Sequence, residues 1–191
     1  WEAKSTGLMF DFSQGAATGD PWTAPRFWDD PKWNGAELPV VGVTWYEAVA
    51  FCLWLSNVTS EKIMLPTEDQ WQYAAQGDDG RLYPWGDTWD CTRCNNSVKP
   101  CLSDGTTPVR QYEGKNDSPF GAVDMAGNVW EWCLTDYEHK TNDLNSVANT
   151  RVIRGGGWYY FSTADCRCNF RYSDMPFGCY HFRGFRIART R

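Results

Sequence analysis

Gly127-Asn128-Val129-Trp130-Glu131-Trp132 is the stretch from which the fold can be read. If it is a strand, Trp130 and Trp132 share one face and Glu131 lies on the other. A carboxylate there, with Asn128 and local backbone carbonyls, makes an oxygen-rich set suited to Ca²⁺. The alternative is that Glu131 simply hydrogen-bonds neighbouring backbone amides.

Upstream, two helix starts stand out. Leu38-Pro39-Val40-Val41-Gly42-Val43 reads as a short extended segment running into Thr44-Trp45-Tyr46-Glu47, a capping box in which Glu47 can reach back to the Thr44 amide. Ala48, Phe51, Cys52 and Leu55 follow at helical spacing and predict one buried face, with Ser56-Asn57 ending the helix. Ile63-Met64-Leu65-Pro66 leads into a second box, Thr67-Glu68-Asp69-Gln70, with Trp71, Ala74 and Ala75 on one face and Gly77 as C-cap. Gly105-Thr106-Thr107-Pro108-Val109 reads as a short strand entry. Residues 1–38 are turn-rich, broken by Gly15, Gly19-Asp20-Pro21, Pro25, Pro31 and Gly35. Trp22, Phe27, Trp28 and Trp33 are expected to pin that segment to the body.

Downstream, residues 151–191 have framework at both ends: Arg151-Val152-Ile153-Arg154-Gly155-Gly156-Gly157-Trp158 and Arg183-Gly184-Phe185-Arg186-Ile187-Ala188. Between them neither a 3.6-residue nor a 2-residue period appears. Tyr159, Tyr160, Phe161, Phe170, Tyr172, Phe177, Tyr180, His181 and Phe182 crowd this span, with Ser162, Thr163, Asp165, Asn169, Ser173, Asp174 and Gly178 among them. Rigid aromatic anchors separated by small polar residues are the chemistry of a paratope. A core run would be rich in Leu, Ile and Val, and none occurs between Trp158 and Arg183, so an exposed surface is expected.

A length of 191 residues suits one domain with a real core. Twelve Trp among 16% aromatic residues, with 17 Gly and 10 Pro, point to a loop-rich fold pinned by large rings rather than a bundle. The net charge of −6 argues against binding a nucleic-acid backbone. No apolar stretch approaches the roughly 20 residues of a membrane helix. The chain opens at Trp1 without a signal peptide, which reads as a mature or trimmed protein. Eight Cys permit disulfides of undetermined pairing. Cys91-x-x-Cys94 with Cys101 can be a zinc knuckle completed by Cys133, a local disulfide, or free thiols. Asn57, Asn95 and Asn116 each open a glycosylation triplet.

Taken in order, Pro39-Val40-Val41-Gly42-Val43-Thr44-Trp45, Leu65-Pro66-Thr67-Glu68-x-x-Trp71, Tyr83-Pro84-Trp85-Gly86, Thr107-Pro108-Val109, Gly127-Asn128-Val129-Trp130-Glu131-Trp132, Arg154-Gly155-Gly156 and Gly184-Phe185-Arg186 resemble the formylglycine-generating-enzyme (sulfatase-modifying factor) family. The resemblance implies an α+β, C-type-lectin-like fold: two short helices, small antiparallel sheets and much irregular structure. It also implies a structural Ca²⁺ site, carried over to Asn128 and Glu131. The family's oxidases use two cysteines shortly after the Gly-Gly motif. Aligned from Gly184-Phe185-Arg186, those positions fall between Trp158 and Thr163, where there is no Cys. Sulfoxide synthases of this fold bind iron through His residues, and only His139 and His181 exist here. Catalysis and a required cofactor are therefore not expected.

The stretch is also similar to the variable regions of proteins diversified by retroelements, in which template adenines are randomised. Residues 159–182 fit the products of AAY codons: Lys, Glu and Gln are missing, and Met175 would be a fixed position. The resemblance implies a non-catalytic binding protein on a cell or virion surface, with residues 151–188 as a variable region recognising a protein or other macromolecule. The expected contacts are Tyr159, Tyr160, Phe161, Thr163, Asp165, Phe170, Tyr172, Asp174, Phe177, Tyr180, His181 and Phe182. Ala at Tyr160 or Tyr180 is expected to weaken binding by roughly 1–3 kcal/mol without unfolding the domain.

Overall fold

The computed structural model describes residues 10–11, 16–17, 24–146, 150–160 and 162–190. Trp22, Phe161 and the Gly15 and Gly19-Asp20-Pro21 turns lie outside them. Both helices begin where the sequence places them. In α1, Trp45–Thr59, the Thr44 hydroxyl accepts the Glu47 amide at 3.1 Å and the Glu47 carboxylate accepts the Thr44 amide at 2.7 Å. In α2, Glu68–Gln76, Thr67 and Gln70 repeat the exchange, and the Gly77 amide closes onto the Tyr73 carbonyl at 2.8 Å. Such caps satisfy amides that the helix itself leaves open.

Helix α1 runs past Ser56-Asn57 to a left-handed Ser60. Its buried residues are Trp45, Ala48, Val49 and Cys52, while Phe51 is 41% exposed. The expected face is therefore rotated, for a simple reason. Leu53, Trp54 and Val58 make the outer side apolar too, so periodicity could not select the inner one.

The strands are short. β1 (Phe10–Asp11) pairs with β2 (Ala16–Ala17), and β3 (Lys62–Met64) with β8 (Ala188–Thr190). The main sheet holds β4 (Trp130–Asp136), β5 (Arg151–Arg154), β6 (Tyr172–Asp174) and β7 (Arg183–Phe185) in the order β6-β5-β4-β7. The pairs β4–β5 and β5–β6 are antiparallel, but β4–β7 is parallel, which departs from the all-antiparallel expectation. Residues 105–109 form no strand. Pro108 lacks an amide, and the Asn128 side chain does the pairing instead: its Oδ1 accepts the Thr107 amide at 3.0 Å and its Nδ2 donates to the Thr107 carbonyl at 3.1 Å. Residues 38–43 are likewise irregular, with the Gly42 amide bonded to the carbonyls of Tyr180 and Arg183.

Trp130 and Trp132 do enter one core, with Trp45, Leu65 and Ile153. Two indoles also tie β4 to the start of α1: Trp45 Nε1 donates to the Cys133 carbonyl and Trp132 Nε1 to that of Val43. On the other side, Trp71, Ala75, Met125, Cys133, Val152 and Cys168 form a second core. Cys91 is disulfide-bonded to Cys101, which removes both from any zinc site and leaves Cys94 and Cys133 in separate clusters. Of the three triplet asparagines, Asn57 is exposed, whereas Asn95 and Asn116 are buried and bonded inside.

Strand β4 ends on Asp136, whose side chain is wholly buried. Its carboxylate accepts the amides of Glu138 and His139, the Ser146 hydroxyl and His139 Nδ1. Burial alone would raise its pKa, but the bonds from Ser146, His139 and Glu138 more than offset this and hold it below the ordinary value. A depressed folded pKa stabilises above the unfolded value near 3.8 and is lost as pH falls through the folded one. Asp136→Asn is therefore expected to cost roughly 2 kcal/mol at pH 7. It should also flatten the acid limb of the stability curve below about pH 4. Urea unfolding from pH 7 to pH 2 measures both; an unchanged acid limb would contradict the assignment.

Candidate ligand-binding face

The sheet brings one set of strand ends together. Trp130 lies opposite Arg183, Glu131 opposite both Arg154 and Gly184, and Ile153 opposite Tyr172. The loop from β5 to β6 and the end of the β6–β7 crossover therefore emerge at the start of β4. Trp130 is the floor: its ring lies 5.4 Å from Tyr160, 6.2 Å from Phe170 and 5.9 Å from Tyr172. Phe182 stacks between Tyr159 at 5.8 Å and Tyr180 at 5.2 Å, with interplanar angles of 9° and 6°. Tyr160 meets Phe182 edge-on. The result is a row of three near-parallel rings above an aromatic floor, an arrangement in which each contact adds to plain area burial.

Burial divides the expected contact residues. Tyr159 and Tyr172 are each 50% exposed and Tyr180 41%, so these three present rings to solvent. Tyr160, Phe170 and Phe182 pack partly against the main core. Burial raises the Tyr160 pKa. Tyr160 is thus a support as much as a contact, and Ala there is expected to lower stability, unlike Ala at Tyr180. Thr163 and Asp165 sit half-buried on a 3₁₀ turn, Thr163–Cys166, capped by Ser162. Asp174 belongs to the frame: its carboxylate pairs with the Arg183 guanidinium and accepts the Met175 amide.

His181 joins the ring row to the early segment: it meets Phe182 edge-on at 5.2 Å and Tyr159 at 6.1 Å, and also lies 5.1 Å from Trp33, 5.3 Å from Trp158 and 5.9 Å from Phe27. Burial, then the charge of Lys32, lowers its pKa. Phe27 and Trp33 thus pin the early segment as expected, whereas Trp28 is 47% exposed. Beside them Arg26, Phe27, Phe177, Gly178, Cys179, Tyr180 and His181 line a cavity of about 220 Å³. Cavities that engulf a small-molecule ligand begin near roughly 300 Å³, so this one is too small to enclose one. That Arg26, Phe27 and Trp33 border this face was not legible in the chain, since nothing local links them to residues 177–182.

The residues assigned to calcium are spent on protein partners instead. Glu131 Oε2 accepts Trp71 Nε1 at 2.6 Å and Arg186 Nε at 2.5 Å, and Oε1 accepts Arg186 Nη2 at 2.6 Å. Asn128 Oδ1 accepts Asn95 Nδ2 and the Thr107 amide, while its Nδ2 donates to Asp124 and Thr107. A guanidinium stands on the carboxylate where a cation would bind, so as a pair Asn128 and Glu131 do not fit a Ca²⁺ site. Asp136, Glu138 and His139 offer ligand atoms within 4.8 Å of one another, but the Asp136 oxygens already accept four hydrogen bonds. Cys166 and Cys168, the thiols nearest the Gly-Gly motif, are both buried below the face.

Residues 10–191 match the model of the sulfatase-modifying factor enzyme 1-like domain. The inactive C-alpha-formylglycine-generating enzyme 2 of Bos taurus is 34% identical over 191 residues, covering 87% of this chain and 58% of the relative. The formylglycine-generating enzyme of Streptomyces coelicolor is 32% identical over 210 residues, covering 91% and 62%. This chain therefore spans about three-fifths of the length of either relative. Among solved structures, Treponema denticola variable protein 1 superposes with a TM-score of 0.67 at 22% identity, covering 98% of this chain and 79% of that one. The likeness establishes the α+β fold with its two helices and small sheets. No helix among the described residues is long and apolar enough to cross a membrane.

Proposed function

Starting from the sulfatase-modifying factor enzyme 1-like domain family, to which this chain belongs, we propose that it is a non-catalytic member that binds a macromolecular ligand through residues 159–182. The observation that carries this reading is the ring row Tyr159–Phe182–Tyr180, standing half-exposed on loops whose ends are fixed in a buried sheet. Rings held in this way offer contact area at little entropic cost, which is what a binding surface needs. Membership alone does not decide catalysis, since the relatives include an enzyme and a protein described as inactive. The burial of Cys166 and Cys168 favours binding, because oxidase chemistry of this family needs a thiol pair open to substrate.

Binding on this reading needs no cofactor. The ligand is a protein or other macromolecule on a host or neighbouring cell, met at a cell or virion surface. The Cys91–Cys101 disulfide supports such an oxidising location. The face is diversified by a retroelement acting on AAY codons. Sequencing codons 150–191 from many clones of the source, with the adjoining DNA, tests this. Substitutions should gather at outward positions such as Tyr159, Tyr172 and Tyr180, with a near-copy template nearby, while Arg154, Gly155, Arg183 and Gly184 stay fixed. An invariant stretch without a template would overturn diversification.

The binding surface has its own test. Tyr159→Ala and Tyr180→Ala are each expected to weaken a ligand recovered from a surface-protein array by about 10- to 100-fold. Melting temperatures should hold, and calorimetric titration with parallel thermal scans separates the two effects. Unfolding of either variant would make these rings core instead.

A further inference from the structure

Cys52, Cys94, Cys133, Cys166 and Cys168 are buried and outside any disulfide. Cys94 and Cys166 belong to one buried cluster with Tyr83 and Ala126. The backbone around them leaves room for sulfur. A Cβ on Gly156 would stand 3.0 Å from Cys166 Sγ, and one on Gly127 would stand 3.1 Å from Cys94 Cβ and 2.4 Å from the Asn95 carbonyl oxygen. Both glycines have positive φ, and the Gly127 amide bonds the Gly155 carbonyl at 2.7 Å, so the two backbones close around the sulfur pair. Cys133 and Cys168, by contrast, lie in the core under Trp71, and Cys52 lies in the helix core.

We infer that Cys94 and Cys166 are a second cross-linking site, closed as a disulfide beneath the binding face. Three features carry the inference: a shared buried cluster, burial apart from Cys52, Cys133 and Cys168, and the Cys91–Cys101 disulfide only three residues from Cys94. Closure proceeds by exchange with a small disulfide oxidant such as oxidised glutathione, while residues 158–166 are still open during folding. One cysteine thiolate attacks the oxidant, whose S–S bond breaks and releases one thiol. The other thiolate then displaces the second thiol, and the protein S–S bond forms. The two protein thiols lose two electrons and two protons, which end on the two released thiols.

Cys166 ends the 3₁₀ turn that carries Thr163 and Asp165, so the bond would tether that turn to the segment of Cys91 and Cys94. On the proposed function this pre-organises the binding loop. The chemical test needs no ligand, so the failure of one reading leaves the other standing. The full chain is folded in a glutathione buffer, digested at acidic pH without reduction and mapped by mass spectrometry. A linked Cys94–Cys166 peptide is expected beside the Cys91–Cys101 one. Recovery of Cys94 and Cys166 as free thiols, or linked to any other cysteine, would overturn the assignment. In thermal scans, reductant should lower the melting temperature of the native chain by roughly 5–10 °C more than that of Cys94→Ser/Cys166→Ser, since the bond closes a loop of on the order of 70 residues. Equal drops would count against it.

Discussion

Glu131→Ala is expected to destabilise the fold by roughly 3–5 kcal/mol, a large share of the total stability of an ordinary domain. Glu131 is 5% exposed, and its two oxygens accept one indole N–H and a two-pronged guanidinium. Through Trp71 it holds α2, and through Arg186 the segment between β7 and β8. The same guanidinium also donates to the carbonyls of Val123 and Asp124, just ahead of Gly127. Removing the carboxylate leaves a mostly buried cation and a buried indole N–H without their acceptor. Glu131→Gln keeps the shape and one acceptor, so it should cost less, about 2–3 kcal/mol. Adding Arg186→Met should recover part of the loss, because the stranded charge is then gone. Denaturant unfolding of the three variants decides the matter. A cost under about 1 kcal/mol for Glu131→Ala would show that the carboxylate is not a hub.

The pair also shows what the sequence could and could not tell. Both helix starts were legible because a capping box is local: Thr44 with Glu47, and Thr67 with Gln70, meet within three residues. The alternation of Trp130, Glu131 and Trp132 was legible for the same reason. The partner of Glu131 was not, since Arg186 lies 55 residues away and arrives only through the parallel pairing of β4 with β7. A parallel neighbour leaves no hairpin signal in the chain. The face of α1 was unreadable for another reason, its apolar residues lying on all sides. At the candidate site, composition marked residues 159–182 off as a run without Leu, Ile or Val, yet Tyr160, Phe170 and Phe182 still pack against the core. It could not say which rings point outward, because Tyr159 and Tyr160 are chemically alike and differ only in whether Trp130 lies beneath them.

Arg183 extends this reasoning from stability to function, and Arg183→Ala is expected to lower both. Its side chain is 2% exposed, and its Cζ lies 4.8 Å from the Trp132 ring, 5.0 Å from Tyr180 and 5.8 Å from Phe182. Burial pushes its pKa down to about 9, so at neutral pH the group still carries its charge inside the fold. Asp174 and the surrounding rings offset that desolvation, and the cation in turn fixes the rings above it. Ala should cost about 3 kcal/mol from lost packing and ring contacts. The ring row should also loosen, with ligand affinity falling at least tenfold at temperatures where the variant is still folded. Arg183→Lys keeps the charge but loses the flat, stackable fork, so it should affect the rings more than the fold. Fluorescence anisotropy of a labelled ligand, read beside urea unfolding, separates the two effects. If Arg183→Lys binds as well as the native chain, the guanidinium is structural only, and the ring row stands by stacking alone.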